Sequence, residues 1–307
     1  MADINFYKQY LNTSTIDEIC DALKNTLIQT NYTYNFFVNW AKVTKNRDAF
    51  KYEIALLKSL KNSTNPVNDF RELLTKYPEV VRVIPILLAY RDGLIKVLNS
   101  IETDLQYSAF DFTKKQYNSK DINDITEFAK KTGILEILCK MDSASDYLLG
   151  VEVGLDTNAR KNRSGLFLET LVDETLHKLS SRHPTLVVIN QKSFGYVEEK
   201  YHIIVPPTLK DRKFDFAIIN QGKATTIEVN FYSGTGSKPS EIVSSYINRG
   251  EVLAAAGWKF VWLTDGMGWK KMTRPLRIGV AGINYVINVQ LLLNGLLEKI
   301  IFYDITV

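Results

Sequence analysis

Phe214-Asp215-Phe216-Ala217-Ile218-Ile219-Asn220, then Gln221-Gly222, then Thr225-Thr226-Ile227-Glu228-Val229-Asn230-Phe231-Tyr232 is the stretch on which the fold turns. Residues 214–220 and 225–232 are apolar and β-branched runs, the pattern of two strands, and Gln-Gly around their junction reads as a tight hairpin turn. Upstream, Pro184 precedes a further β-branched run at 185–190; downstream, 259–263 is a short buried strand. A helix is expected over 164–179, capped by Ser164, with Leu166, Leu168, Leu171, Val172, Leu176 and Leu179 as its buried stripe. A second is expected over 240–256. Helix, three strands, helix, strand is the order of an α/β sandwich.

Before residue 150 the pattern is helical. Apolar residues recur at helical spacing over 16–28, after Ser14 and Thr15 as caps, and again over 49–60, 70–76 and 80–100, with Pro85 as a kink or break. Two further short helices are expected over 122–139, divided near Gly133. The aromatics Tyr32, Tyr34, Phe36, Phe37 and Trp40 are expected in a core, with a base-stacking platform as the alternative. Asp156 to Ser164 (DTNARKNRS) reads as an exposed basic loop. The chain is thus expected to divide into residues 1–150, a helical N-terminal region, and 151–307.

The 307 residues are 45% hydrophobic and 23% charged, an ordinary globular composition. The net charge is +4; residues 1–150 net to zero, so all of the excess falls in 151–307, where a polyanion is expected to bind. Two cysteines, Cys20 and Cys139, imply no disulfide framework and fit a reducing cytoplasm. With His177, His183 and His202 they show none of the paired spacings of a structural zinc site. The polar start MADINFYKQYLN is not that of a signal peptide, and the most apolar stretches are broken before spanning length. A cytoplasmic protein without a membrane segment is expected.

Asp215 and Glu228 are acids set among apolar neighbours, where a charge is costly unless paired or liganded. If their strands pair, the two converge at the open end of the hairpin. Glu228 and Asn230, two apart, share a strand face. Oxygen ligands with room for water and a phosphate describe a magnesium site; solvated strand-edge acids are the plain alternative. Glu169 and Asp173 share a helix face. Ser233-Gly234-Thr235-Gly236-Ser237-Lys238 lets backbone amides approach a phosphate but lacks P-loop spacing. Arg160, Lys161 and Arg163 form a second basic cluster, and Lys270, Lys271, Arg274 and Arg277 a third. Basic loops around acids suit a phosphodiester substrate.

GVEVGLDTNARKNRSG, FDFAI, IEVNFYSGTGSK and WLTDGMGW, with YPEVVRVIPILLAYR and TGILEIL in the helical half, resemble the DpnII/MboI family of type II restriction endonucleases, which cut DNA at GATC. The resemblance implies a mixed α/β fold: a helical N-terminal region, then a PD-(D/E)XK-type core, a central mixed β-sheet flanked by helices, ending in a C-terminal helix. It implies Asp215 and Glu228 as the motif acids, Glu169 as an added helix acid, and all three as ligands of Mg2+. Asn230 stands where the motif has Lys, so a charged, proton-accepting role there is closed. Arg160, Lys161, Arg163, Ser237 and Lys238 are the expected DNA contacts. The expected partners are double-stranded DNA containing unmethylated GATC, a second copy in a homodimer, and a protecting adenine methyltransferase. A repair or structure-specific nuclease, or an inactive DNA-binding protein, are the alternatives.

Overall fold

The computed structural model describes residues 1–100, 106–236 and 238–303, which form two compact units: 34–161, and 1–33 together with 162–307. Two sheets occur among the described residues. In the unit 34–161, β1 (Leu94–Ser100) and β2 (Gln106–Asp111) make an antiparallel hairpin. In the other unit, β3 (Val187–Asn190), β4 (Phe216–Asn220), β5 (Lys223–Phe231), β6 (Lys259–Asp265) and β7 (Tyr285–Ile287) lie side by side in that order. The fold is mixed α/β, and so is this sheet: β3, β4 and β5 pair antiparallel, whereas β5, β6 and β7 run parallel.

The β4–β5 turn forms because Gln221 and Gly222 both take positive φ, 49° and 79°. That is the type I′ combination, whose twist matches paired strands. A parallel pair cannot close through so short a turn, and the helix Lys238–Ala255 makes the crossover from β5 to β6. The helix Arg160–Arg182 buries Leu168, Val172, Leu176 and Leu179, spaced by four, four and three residues, in the core shared with the sheet. Leu171 is only half-buried, and Leu166, expected in the same stripe, is 58% exposed because, two residues before Leu168, it faces the other side of the helix. Residues 1–33 join this unit because β7 leaves an open edge. The Tyr7 hydroxyl accepts from Val286 N at 2.6 Å and donates to Val286 O at 3.0 Å, and Tyr285 Oη donates to Asp3 Oδ2 at 3.0 Å. An edge so covered cannot recruit a foreign strand.

The units therefore follow packing rather than chain order: residues 1–33 lie with the sheet, and the other division falls at 161/162. Three sequence expectations are corrected. The DTNARKNRS segment is not an exposed loop but a 3-10 turn, Thr157–Ala159, running directly into the helix that starts at Arg160, so Ser164 lies inside that helix rather than capping it. Its residues are all tolerated in a helix, and no Pro or Gly interrupts them before Gly165. The helix expected over 80–100 is a 3-10 segment (Pro78–Val83), one helical turn (Ile84–Leu87) and then β1. Asp92 accepts from Leu94 N at 3.0 Å and Gly93 packs against Thr113, so the chain turns there into the hairpin. Finally, Tyr34 (98% exposed), Trp40 (60%), Phe37 and Tyr32 are at the surface, not in a core. The helices Ser119–Lys131 and Ile134–Lys140 do divide at Gly133, which has φ 79°. Among the described residues no helix is long and apolar enough to cross a membrane.

The loop after β5 is fastened to the end of β6. Tyr232 N donates to Asp265 O and Gly268 N to Tyr232 O, both at 2.9 Å. A Cβ at Gly268 would lie 2.5 Å from Gly234 O and 2.7 Å from Tyr232 O, both backbone atoms that cannot yield alone. Gly268→Ala is expected to cost about 1–3 kcal/mol, the scale of overpacking, and to displace residues 232–236. Urea unfolding measures the first, and proteolytic nicking of the loop the second.

Candidate active site

Asp215 sits one residue before β4. Phe216 pairs with Ile227, and extending that register by one residue sets Asp215 opposite Glu228. The Asp215 main chain is held by Gln191 N, which donates to its carbonyl at 3.0 Å. Its carboxylate is held by Val229 N, which donates to Oδ2 at 2.8 Å. The acid is thus anchored to the strand that bears Glu228. Burial pushes the Asp215 carboxyl above the usual carboxylate range, opposed by the Val229 amide and the Gln191 side chain.

Glu228 is 7% exposed. Burial first and the Asp215 charge second push its carboxyl up to about 8, while a Tyr246 hydrogen bond and the Arg212 charge pull the other way. A further cation lies against it: Arg249 Nη1 is 2.5 Å from Glu228 Oε1, and Arg249 is only 3% exposed. At that distance the ion pair favours the ionised acid.

Glu169, on the helix Arg160–Arg182, is raised by burial and then by the charge of Asp215. Gln191 Nε2 donates to Glu169 Oε2 at 3.4 Å and also bonds Asp215, so one amide bridges the two acids. Asp173, one turn further along, turns instead to Asn190, whose Nδ2 donates to it. Asn230 keeps the strand face it shares with Glu228. Its Oδ1 accepts from Trp262 Nε1 at 2.9 Å. The Asn230 amide is therefore anchored through its oxygen by one indole N–H.

Asp215 is the hub that brings Glu228 and Glu169 together. Among the described residues no group of three or more acids, His or Cys is gathered closely enough to enclose a metal ion. The donor set nevertheless fits magnesium, which commonly takes one or two carboxylates and keeps waters or phosphates for the rest. Glu228 Oε1 is buried with no hydrogen-bond donor directed at it. The basic residues are dispersed. Arg160 Nε donates to Phe37 O at 3.2 Å, Arg163 is partly buried, and Arg277 pairs with Asp17 at 2.6 Å rather than joining Lys270, Lys271 and Arg274. Ser237 and the side chains of Lys161 and Lys238 lie outside the described residues. Gly234 and Gly236 face open space.

Sequence reasoning missed Gln191, Tyr246, Arg249 and Arg212. Gln191 follows β3 with φ 53°, and nothing local marks it. Tyr246 and Arg249 are three apart on the helix Lys238–Ala255, a spacing that puts them on one face, which a search for strand acids does not examine.

The chain matches the DpnII restriction endonuclease family over residues 20–299. It belongs to that family. It is 36% identical over 284 residues to the type II restriction enzyme MjaIII of Methanocaldococcus jannaschii, covering 90% of this chain and 97% of that one. To the type II restriction enzyme DpnII of Streptococcus pneumoniae it is 32% identical over 294 residues, with 91% and 97% covered. To the type II restriction enzyme MboI of Moraxella bovis it is 27% identical over 287 residues, with 91% and 95% covered. The match to the DpnII family takes in Glu169, Asp215 and Glu228.

Asp215→Asn keeps an acceptor for Val229 N and removes the charge that raises both Glu169 and Glu228. Thermal melts in EDTA are expected to show stability at or above wild type. Asp215→Ala, which leaves the Val229 amide without its acceptor, is expected to lose about 1–3 kcal/mol.

Proposed function

We propose that the protein is a type II restriction endonuclease that hydrolyses double-stranded DNA on the 5′ side of G in unmethylated GATC, using Mg2+. The observation that carries this reading is the antiparallel register that sets Asp215 against Glu228 in a chain of the DpnII restriction endonuclease family. The GATC site follows from the resemblance of the segments around these acids to the DpnII/MboI family. Asp215, Glu228 and Glu169 would hold the ion. When bound, it supplies a Lewis acid for the phosphoryl oxygen and lowers the pKa of an attacking water.

The chain's own residues do the rest. Gln191 sets the spacing of Glu169 and Asp215. Asn230 carries no charge and is held by Trp262, so it orients the attacking water or a phosphate oxygen rather than taking a proton. The segment 233–236, with its two open-faced glycines, receives a phosphate through backbone amides, and Ser237 and Lys238 add contacts to the DNA. Arg160, Lys161 and Arg163 add contacts to the DNA backbone. A palindromic site pairs with a two-fold homodimer, each subunit cutting one strand. The cell that makes the enzyme then needs an adenine methyltransferase for its own GATC sites, and both act in the cytoplasm.

Methylated and unmethylated plasmid, digested with Mg2+ or EDTA and end-sequenced, tests the reading. Cuts before G at unmethylated GATC, in Mg2+ only, are expected. Cutting without sequence preference would point to a repair or structure-specific nuclease, and GATC binding without cutting to a DNA-binding protein. Asp215→Ala and Glu228→Ala are expected to abolish cleavage and leave DNA binding in place. Asn230→Ala is expected to slow single-turnover cleavage by roughly 10²–10³, the scale for one positioned hydrogen-bonding group. For the basic residues, replacing Arg160, Lys161 and Lys238 by Ala should flatten the slope of log K against log salt by up to about 0.9 per lost phosphate contact.

A further inference from the structure

The helix Lys238–Ala255 places a guanidinium where the strand motif offers no cation. Arg249 is 3% exposed, and its Nη1 lies 2.5 Å from Glu228 Oε1. Neither Nε nor Nη1 of Arg249 has a directed hydrogen-bond partner, and Glu228 Oε1 likewise receives none. The pair is held by charge rather than by aligned hydrogen bonds. The guanidinium also lies 5.0 Å from the centroid of the Tyr246 ring, and the Tyr246 hydroxyl favours the ionised form of Glu228. Arg249 and Tyr246, three apart on one helix, therefore both act on Glu228 of β5.

A buried guanidinium with unmade donors is expensive, because both its hydration and its hydrogen bonds are forgone. A purely structural ion pair would be expected to satisfy those donors. This one stops at a carboxylate oxygen that also lacks an aligned donor, beside Asp215, whose charge repels that of Glu228. We infer that Arg249 is the resident counter-cation of the acid pair: it fixes Glu228 in the metal-free protein and competes with a divalent ion for Oε1. The inference rests on the reading of Asp215 and Glu228 as metal ligands. Arg249 acts through Glu228 and is a positioning residue. It supplies in the metal-free state the positive charge that Asn230 cannot.

The test uses the full-length protein without DNA, with Ca2+ and Mg2+ as the probes. Calorimetric titration reads metal affinity; melting in EDTA and in saturating Ca2+ reads stability. Arg249→Met is expected to melt lower than wild type in EDTA and to regain most of the difference in Ca2+, because the ion replaces the missing charge. Its affinity for Ca2+ is expected to rise about tenfold, within the usual range for coupled sites. Arg249→Lys keeps the charge without the planar fork. It is expected to fold and melt near wild type with a smaller gain in affinity, and it carries the test if Arg249→Met does not fold. An equal stability deficit with and without Ca2+, or an affinity in either variant at or below wild type, would overturn the inference. Asp215→Ala separates it from the reading beneath it. Loss of Ca2+ binding in that variant upholds the ligand assignment whatever Arg249 does, whereas wild-type binding would remove the assignment itself.

Discussion

Two carboxylates face each other across a β-hairpin from which most water has been excluded, and their mutual repulsion is the constraint around which this site is built. Burial and then the Asp215 charge push the Glu228 carboxyl up to about 8, the behaviour of neighbouring acids that resist ionising together. The hairpin holds them together only because each acid has its own restraint. The Asp215 carboxylate is tied to the backbone amide of Val229, and Glu228 is flanked by Tyr246 and Arg249. Glu169 enters the same field from the helix Arg160–Arg182, steadied by Gln191.

The remainder of the unit can be understood as support for that arrangement. β6 lies parallel to β5 and puts Trp262 beside Glu228 in register, so that its indole N–H reaches Asn230 two residues on. At the end of β6, the buried Asp265 accepts from Ile28 N, Gly266 N and Val289 N at 2.9, 2.6 and 2.9 Å. One carboxylate thus pins three separate stretches of chain beside the loop that follows Glu228. Charge-assisted bonds to backbone amides are stronger than neutral ones, and here they replace hydration the buried acid has lost. The glycines of WLTDGMGW allow the close approach of that loop, which a side chain at Gly266 or Gly268 would prevent.

The sequence was most legible where pattern is set by near neighbours. The β4–β5 hairpin, its Gln-Gly turn, the buried stripe of the helix beginning at Arg160 and the break at Gly133 all follow from spacing and backbone preference. Asp215 and Glu228 stood out as charges in apolar company, whereas Glu169 was marked by the resemblance alone. The misreadings share a different cause. Leu94-Ile95-Lys96-Val97 is as compatible with a strand as with a helix, and only the partner strand decides. The DTNARKNRS run is polar enough for a loop, yet a helix accommodates it because one already continues beyond it. The surface position of Tyr34 and Trp40 cannot be read from residue type, since aromatic spacing does not say which way a segment faces. Gln191, Tyr246 and Arg249 reach the acids only through tertiary packing: Gln191 lies 22 positions after Glu169 and 24 before Asp215, and Tyr246 and Arg249 lie 18 and 21 positions after Glu228.

Residues 1–33 complete a unit whose other part begins at 162, and Tyr7 closes an edge strand centred on Val286. During synthesis, the bonds of Ala2, Asp3 and Tyr7 to Ala281, Asn284 and Val286 cannot form until those distant residues have emerged. Contacts between such distant residues are slow to form, because the loop entropy is lost before the contact is gained. The unit 34–161, contiguous in the chain, can condense earlier by itself. The sheet bearing the acids is consequently the last part of the molecule to be sealed, and a nascent chain arrested short of β7 has a nuclease motif but no closed core to hold it.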